Sequence, residues 1–152
     1  MGENRGVQAM DEYQTAELIK AQTDAMAALV NHQELLLPWP PKELSPNARG
    51  HWAKRSRAAK AYRMQCFLLA RKAGLVAPAG RLLLSLEFMP PTARRRDDDN
   101  LLASFKAGRD GLADALRIDD SVFVSQVQLS KQCRPGGVVR VRISRFGEGA
   151  AS

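Results

Sequence analysis

This sequence is poor in the residues that usually hold metals or make crosslinks. It has two cysteines, two histidines and no apolar run longer than a few residues, Leu35-Leu36-Leu37 being typical. Two cysteines, Cys66 and Cys133, cannot make a disulfide framework or a four-ligand zinc site. With only His32 and His51 besides, any metal is expected on oxygen, not on nitrogen or sulfur. The short apolar runs exclude a membrane-spanning helix. The opening MGENRGVQAMDEY has no basic stretch leading into an apolar core, so no secretory signal is visible. A reducing, cytoplasmic setting is the expectation. Internal repeats and low-complexity tracts are also missing. What remains is 152 residues, 45% apolar and 26% charged, the size and make-up of one globular domain.

Charge is plentiful and unevenly placed. Residues 1–33 carry two basic residues against five acids, net −3, whereas residues 34–152 carry 21 against 11, net +10. A basic body behind an acidic leader suggests a polyanionic partner, because Lys and Arg displace the counterions condensed on nucleic acid.

Residues 10–31 read as a helix with Leu18, Ile19, Met26, Leu29 and Val30 on a narrow apolar stripe. The body follows. ELLLPWPPKELSPN is a short strand running into a proline-rich loop, where four prolines forbid helix. Residues 52–73 form an amphipathic helix with Ala59, Tyr62, Cys66, Leu69 and Ala73 on one face and Lys54, Arg57, Lys60, Arg63 and Arg71 largely away from it; Gly74 and Pro78 end it. RLLLSLEFM is a strand, central in a sheet by its apolar run, and a helix spans about 99–116. SVFVSQVQL and VVRVRISRF are two more strands, expected as a hairpin across QCRPGG. The fold class is therefore α+β, a small mixed sheet of about four strands packed with two main helices, plus a helical extension over 1–33 and a frayed tail over 147–152.

RRRDDDNLLASFKAGRDGLADALRIDD, residues 94–120, carries most of the chemistry. A helix begun near Asp99 sets Asp99, Lys106 and Asp110 on one stripe and Leu101, Phe105, Gly108, Leu112 and Leu116 opposite. Three adjacent aspartates repel one another, so their presence needs a reason. Helix capping explains one or two of them, and neutralisation by the preceding arginines is a second bland account. The functional account is a Mg²⁺ site: Asp97 and Asp99, two apart on an extended entrance, can point to one side, with Asp119 and Asp120 arriving after the helix. Asp119-Asp120 also suits a simple turn. Lys106 either pairs with Asp110 at i+4 or offers a fixed cation to a developing negative charge.

The DxDN motif at Asp97-Asp98-Asp99-Asn100, with Arg94-Arg95-Arg96 before it and Lys106, Asp110-Gly111-Leu112 and Asp119-Asp120-Ser121 after it, resembles the RusA family of Holliday-junction resolvases. The opening LPWPPKELSPNARGHWAKRSRAAKAYR is similar to the family's N-terminal signature. The resemblance spans about residues 34–145 and makes 34–146 the endonuclease domain, with 1–33 outside it. It implies a Mg²⁺-dependent endodeoxyribonuclease, with Mn²⁺ able to substitute, acting as a homodimer on four-way DNA junctions in recombination and repair. It needs no nucleotide cofactor and no membrane. By motif, the metal ligands fall on Asp97, Asp99 and Asp120, with Asp119 as a further candidate, and the essential lysine on Lys106. That lysine stands six residues after Asn100, where the best-known branch has three and this chain has Ala103. Asp98 stands where the family often has an apolar or small residue. A two-fold junction suits a two-fold dimer. Lys54, Arg57, Lys60 and Arg63, together with Arg94, Arg95 and Arg96, are the expected phosphate contacts. Trp52, Phe88 and Phe123 are candidate stacking groups, and Asn47 and His51 fall in the opening motif. Two other readings stand beside this one: a non-catalytic basic dimeric DNA-binding module, and a nuclease for other branched DNA.

Overall fold

The computed structural model describes residues 12–30 and 33–147. Helix α1 (Glu12–Val30) is followed by strand β1 (Gln33–Pro38), helix α2 (Trp52–Ala73), strand β2 (Leu82–Met89), helices α3 (Asp98–Ser104) and α4 (Lys106–Leu116), and strands β3 (Phe123–Leu129) and β4 (Val138–Arg145). The α+β fold read from the sequence is the fold observed. The strands form one mixed sheet in the order β1-β4-β2-β3, with β2 parallel to β3 and β4 antiparallel to both β1 and β2.

That order corrects the hairpin expectation. β3 and β4 do not pair; β2 lies between them, and residues 130–137 cross its end. Ser130 N–H donates to the Phe88 carbonyl and Arg134 N–H to that of Pro90, which fastens the crossing to the end of β2. The physical reason is polarity. β2 buries Leu82, Leu84, Leu86, Phe88 and Met89 and takes the centre, whereas β3 exposes Gln126 and Gln128 and suits an edge.

One sheet face carries the helices. Leu37, Leu82, Leu84, Leu86, Phe88, Val139, Val141 and Ile143 pack beneath Tyr62 and Cys66 of α2 and Phe105 and Leu112 of the α3–α4 stretch. Burying such a side chain fully contributes roughly 1.5–3 kcal/mol. The other face is more open and polar, carrying the ion pairs Arg140–Glu87 and Arg142–Glu34, with Leu36 58% exposed.

α2 begins and ends where the sequence places it. His51 caps it, its Nδ1 accepting from Ala53 N–H at 3.2 Å, and Gly74 closes it in the left-handed conformation at φ 71°. Its buried face runs through Tyr62, Cys66 and Ala70; Ala73, the last residue of the helix, is exposed. Burial pushes the Cys66 thiol up to about 12, so it packs as an unreactive apolar group. The proline-rich loop holds one short 3-10 turn, Lys42–Leu44, behind Pro41. The expected helix 99–116 is divided at Phe105, whose N–H is shared between the Leu101 and Leu102 carbonyls. In α1, residues 12–22 are exposed, Leu18 and Ile19 included; the side chains of 23–30 and the tail 148–152 lie outside the described residues. Among the described residues no helix is long and apolar enough to cross a membrane.

Candidate functional site

The proline-rich opening and the arginine–aspartate string lie some fifty residues apart in sequence, yet they face each other across one groove of about 1000 Å³. Trp39, Pro40, Pro41, Lys42, Ser45 and Asn47 form one wall; Arg94, Arg95, Arg96, Asp97, Asp98, Asn100, Leu101 and Ser104 form the other. Its floor is fixed by an aromatic series reaching into the core. Trp39 meets Phe88 edge-on at 5.7 Å, Phe88 meets Phe105 at 6.1 Å, and Phe105 meets Tyr62 at 6.2 Å. Tyr62 Oη donates to the Pro38 carbonyl at 2.6 Å, anchoring the strand that delivers Trp39. Its phenol is pushed upward by burial and stays protonated. On the other side of Trp39 lies Gly137, at φ 78°, where any side chain would press into the indole.

The aspartates divide between capping and exposure. Asp97 is the N-cap of α3: its carboxylate accepts from Asp99 N–H at 2.8 Å. Capping therefore accounts for Asp97 locally. Asp98 and Asp99, both in the first turn, are exposed and make no capping bond with their carboxylates; the helix dipole is their structural account. Asp119 likewise caps the 3-10 turn Asp120–Val122, accepting from Ser121 N–H at 2.8 Å. The Ser121 backbone and hydroxyl hold the Asp119 carboxyl below the usual carboxylate range, and Asp120 adds to the effect.

Asp120 and Lys106 are placed by α4. The Arg109 guanidinium, through Nη2, donates to the Asp120 carbonyl at 2.9 Å and the Phe123 carbonyl at 3.0 Å, over the Phe123 ring. This binds the Asp119-Asp120 turn to the helix. Lys106 Nζ lies 3.3 Å from Asp110, so the i+4 pair is formed, with Lys106 well exposed. The hydrogen bond to Asp114 chiefly raises the pKa of Arg63, with Asp110 and Asp120 adding at longer range. The structure thus sets Asp97 and Asp98 on the groove wall and Asp120, Asp110 and Lys106 about α4. Among the described residues no three His, Cys, Asp or Glu side chains stand close enough to hold a metal ion between them. The donor chemistry suits a hard divalent ion, being carboxylate oxygen throughout.

The basic residues differ in their freedom. Lys54, Arg57 and Lys60 are exposed on the outer side of α2. Arg63 is committed to Asp114 in a two-point bridge of 2.6 and 3.0 Å. Arg94 and Arg95 are exposed in the groove. Arg96 holds the loop together instead: it donates to the Thr92 and Arg94 carbonyls at 2.7 and 3.2 Å and covers the Trp39 ring at 5.5 Å. Of the candidate stacking residues, Phe88 and Phe123 are core, with Phe88 wholly buried, and only Trp52 is exposed.

Two residues that shape the site were not singled out from the sequence. Trp39 had a signal, an aromatic between prolines, where a constrained backbone holds a ring in place. Arg109 had a clearer one. At 100° per residue it falls within the apolar stripe of Phe105, Leu112 and Leu116, where a cation needs buried acceptors.

No family model matches the chain. A protein of Xylella fastidiosa (strain Temecula1), described only as an uncharacterized protein, is 48% identical over 132 residues, spanning 84% of this chain and 86% of its own length.

Proposed function

We propose that this chain, which belongs to one family with the Xylella fastidiosa protein, is a Mg²⁺-dependent endodeoxyribonuclease that resolves four-way DNA junctions by paired nicks. It works in the cytoplasm as a homodimer in recombination and repair. One observation carries the reading: the groove in which Ser45 and Asn47 of the opening segment face Arg94, Arg95, Asp97 and Asp98. Arg94 and Arg95 stand exposed there beside Asp98, apart from the cap Asp97 and the loop-holding Arg96. This arrangement suits a phosphodiester brought to a metal.

In this reading Asp97, Asp99 and Asp120 hold Mg²⁺, or Mn²⁺ in its place. Bound there, such an ion would provide an activated water and charge neutralisation at the phosphate oxygens. The chain's own residues do the rest. Arg94 and Arg95 fix the phosphate backbone along the groove, with Lys54, Arg57 and Lys60 extending the cationic track. Lys106 stands by as a cation for the leaving oxygen, held in reserve by Asp110. Arg109 keeps Asp120 in place through its backbone carbonyl. Two copies related by a two-fold axis present two such sites to opposed strands.

A second reading has its own support. Asp97 and Asp119 both work as caps, and no three-carboxylate cluster stands assembled among the described residues. A non-catalytic DNA-binding module would need no more. A labelled four-way junction and a matched linear duplex, each with Mg²⁺ or EDTA, separate the readings beside an Asp99→Asn control. Nicks on the junction alone, absent with EDTA and in the variant, are expected. Tight junction binding with no cut in any divalent metal would leave the binding module. Equal cutting of flaps and forks would widen the substrate to other branched DNA.

A further inference from the structure

Trp52 is the most exposed large apolar side chain in the body, at 74%. An indole left in water at the start of a helix does nothing for folding, and here it is held in place. The imidazole of His51, fixed by its capping bond to Ala53 N–H at 3.2 Å, stacks on it with ring centres 5.9 Å apart and planes 29° from parallel. Arg55 ties this first turn to the groove, its Nη1 donating to the Ser45 carbonyl at 3.3 Å, and Ser45 lines the groove wall. Lys54 is exposed two residues on.

We propose that the stacked His51–Trp52 pair is a platform for an unstacked nucleobase at the branch point of the DNA, resting on the reading of this protein as a branched-DNA enzyme. The chemistry is general. Every base has a π-face, so stacking on an aromatic side chain holds bases without reading their identity, while a nearby cation secures the adjoining phosphate. Within a linear duplex each base face is already covered by its neighbours. At a branch the stack is interrupted and a face is free. The platform therefore discriminates by DNA shape, and it does so from the rim of the groove that would hold the phosphate to be cut.

The test uses the full chain in EDTA, so that cutting does not intervene. The probes are a four-way junction carrying 2-aminopurine at the branch point, the same junction with 2-aminopurine mid-arm, and a linear duplex. Wild type is expected to quench the branch-point probe selectively. Trp52→Ala should abolish that quenching and bind the junction about five- to 150-fold more weakly, with duplex binding and melting temperature unchanged. Trp52→Phe should keep most of both. Unchanged quenching and affinity in Trp52→Ala would overturn the platform, as would equal losses on junction and duplex or a change in oligomeric state. Failure of wild type to bind either DNA is a different result: it would remove the DNA reading itself, and the platform with it.

Discussion

The two ends of the Asp98–Leu116 stretch differ in kind. The inner face of α4 is closed. Gly108 lies under the Phe105 and Tyr62 rings, and a methyl group at Gly111 would collide with the Arg63 carbonyl oxygen of α2. Arg109 has two carbonyl partners on one nitrogen. The entrance of α3 is open: Asp98 and Asp99 are exposed, and Arg94 and Arg95 stand along a wide groove. At the closed end the glycines and the Arg109 Nη2 are explained by their neighbours. At the open end Asp97 and Arg96 have structural partners, whereas Arg94, Arg95, Asp98 and Asp99 stand exposed beside them.

If that contrast is right, changes at the two ends should separate activity from stability. The largest expected effect is at the open end. Asp97→Asn should cut the junction about 10²-fold more slowly or worse, because losing a metal ligand removes charge stabilisation of several kcal/mol, yet melt almost unchanged, since Asn caps as well as Asp. A large loss of stability there would break the contrast. At the closed end Gly111→Ala should destabilise by about 3 kcal/mol, read from the denaturant midpoint, because backbone must move to admit the methyl. Arg109→Met should cost about 2 kcal/mol by leaving the Asp120 and Phe123 carbonyls unpaired, and should weaken cutting through Asp120 while leaving DNA binding intact. The smallest effect concerns Asp114, whose carboxyl is held below the usual range chiefly by its hydrogen bond from Arg63. Since the folded value is depressed, the bridge stabilises above the ordinary carboxylate range and is lost as pH falls through the folded value. Half-exposed partners limit it to under about 1 kcal/mol. Melting curves of wild type and Asp114→Asn should therefore differ slightly at neutral pH and converge in acid.

Local signals made much of this legible. The α2 bounds followed from an amphipathic period, a capping residue and a terminal glycine, and the central place of β2 from its apolar run. The capping role of Asp97 and the Lys106–Asp110 pair were both readable from spacing. What was not readable was long-range. A turn-rich QCRPGG between two strands looks the same whether they pair or straddle a third, because turn chemistry is local and strand order is set by which strand the core most needs at its centre. The convergence of Asn47 with Arg94 and Asp98 needed the fold, since no periodicity links a loop to a helix entrance fifty residues away. Arg63 read as a free cation on a basic helix; the carboxylate that engages it comes from another helix.

The sheet order has a consequence for how the protein is made. β1 lies at the edge, and its one strand neighbour is β4, from Gln33 against Ile143 to Pro38 against Val138. The first strand to leave the ribosome must therefore wait for the last. Trp39 follows directly on β1, and Gly137 beneath it directly precedes β4, so the same wait applies to the groove. A chain stopped before Val138 has every proposed metal ligand and every basic residue of the groove wall, but β1, which leads into the segment opposite them, lacks its strand partner. The pairing that completes the sheet beside the groove therefore closes only once β4 is made.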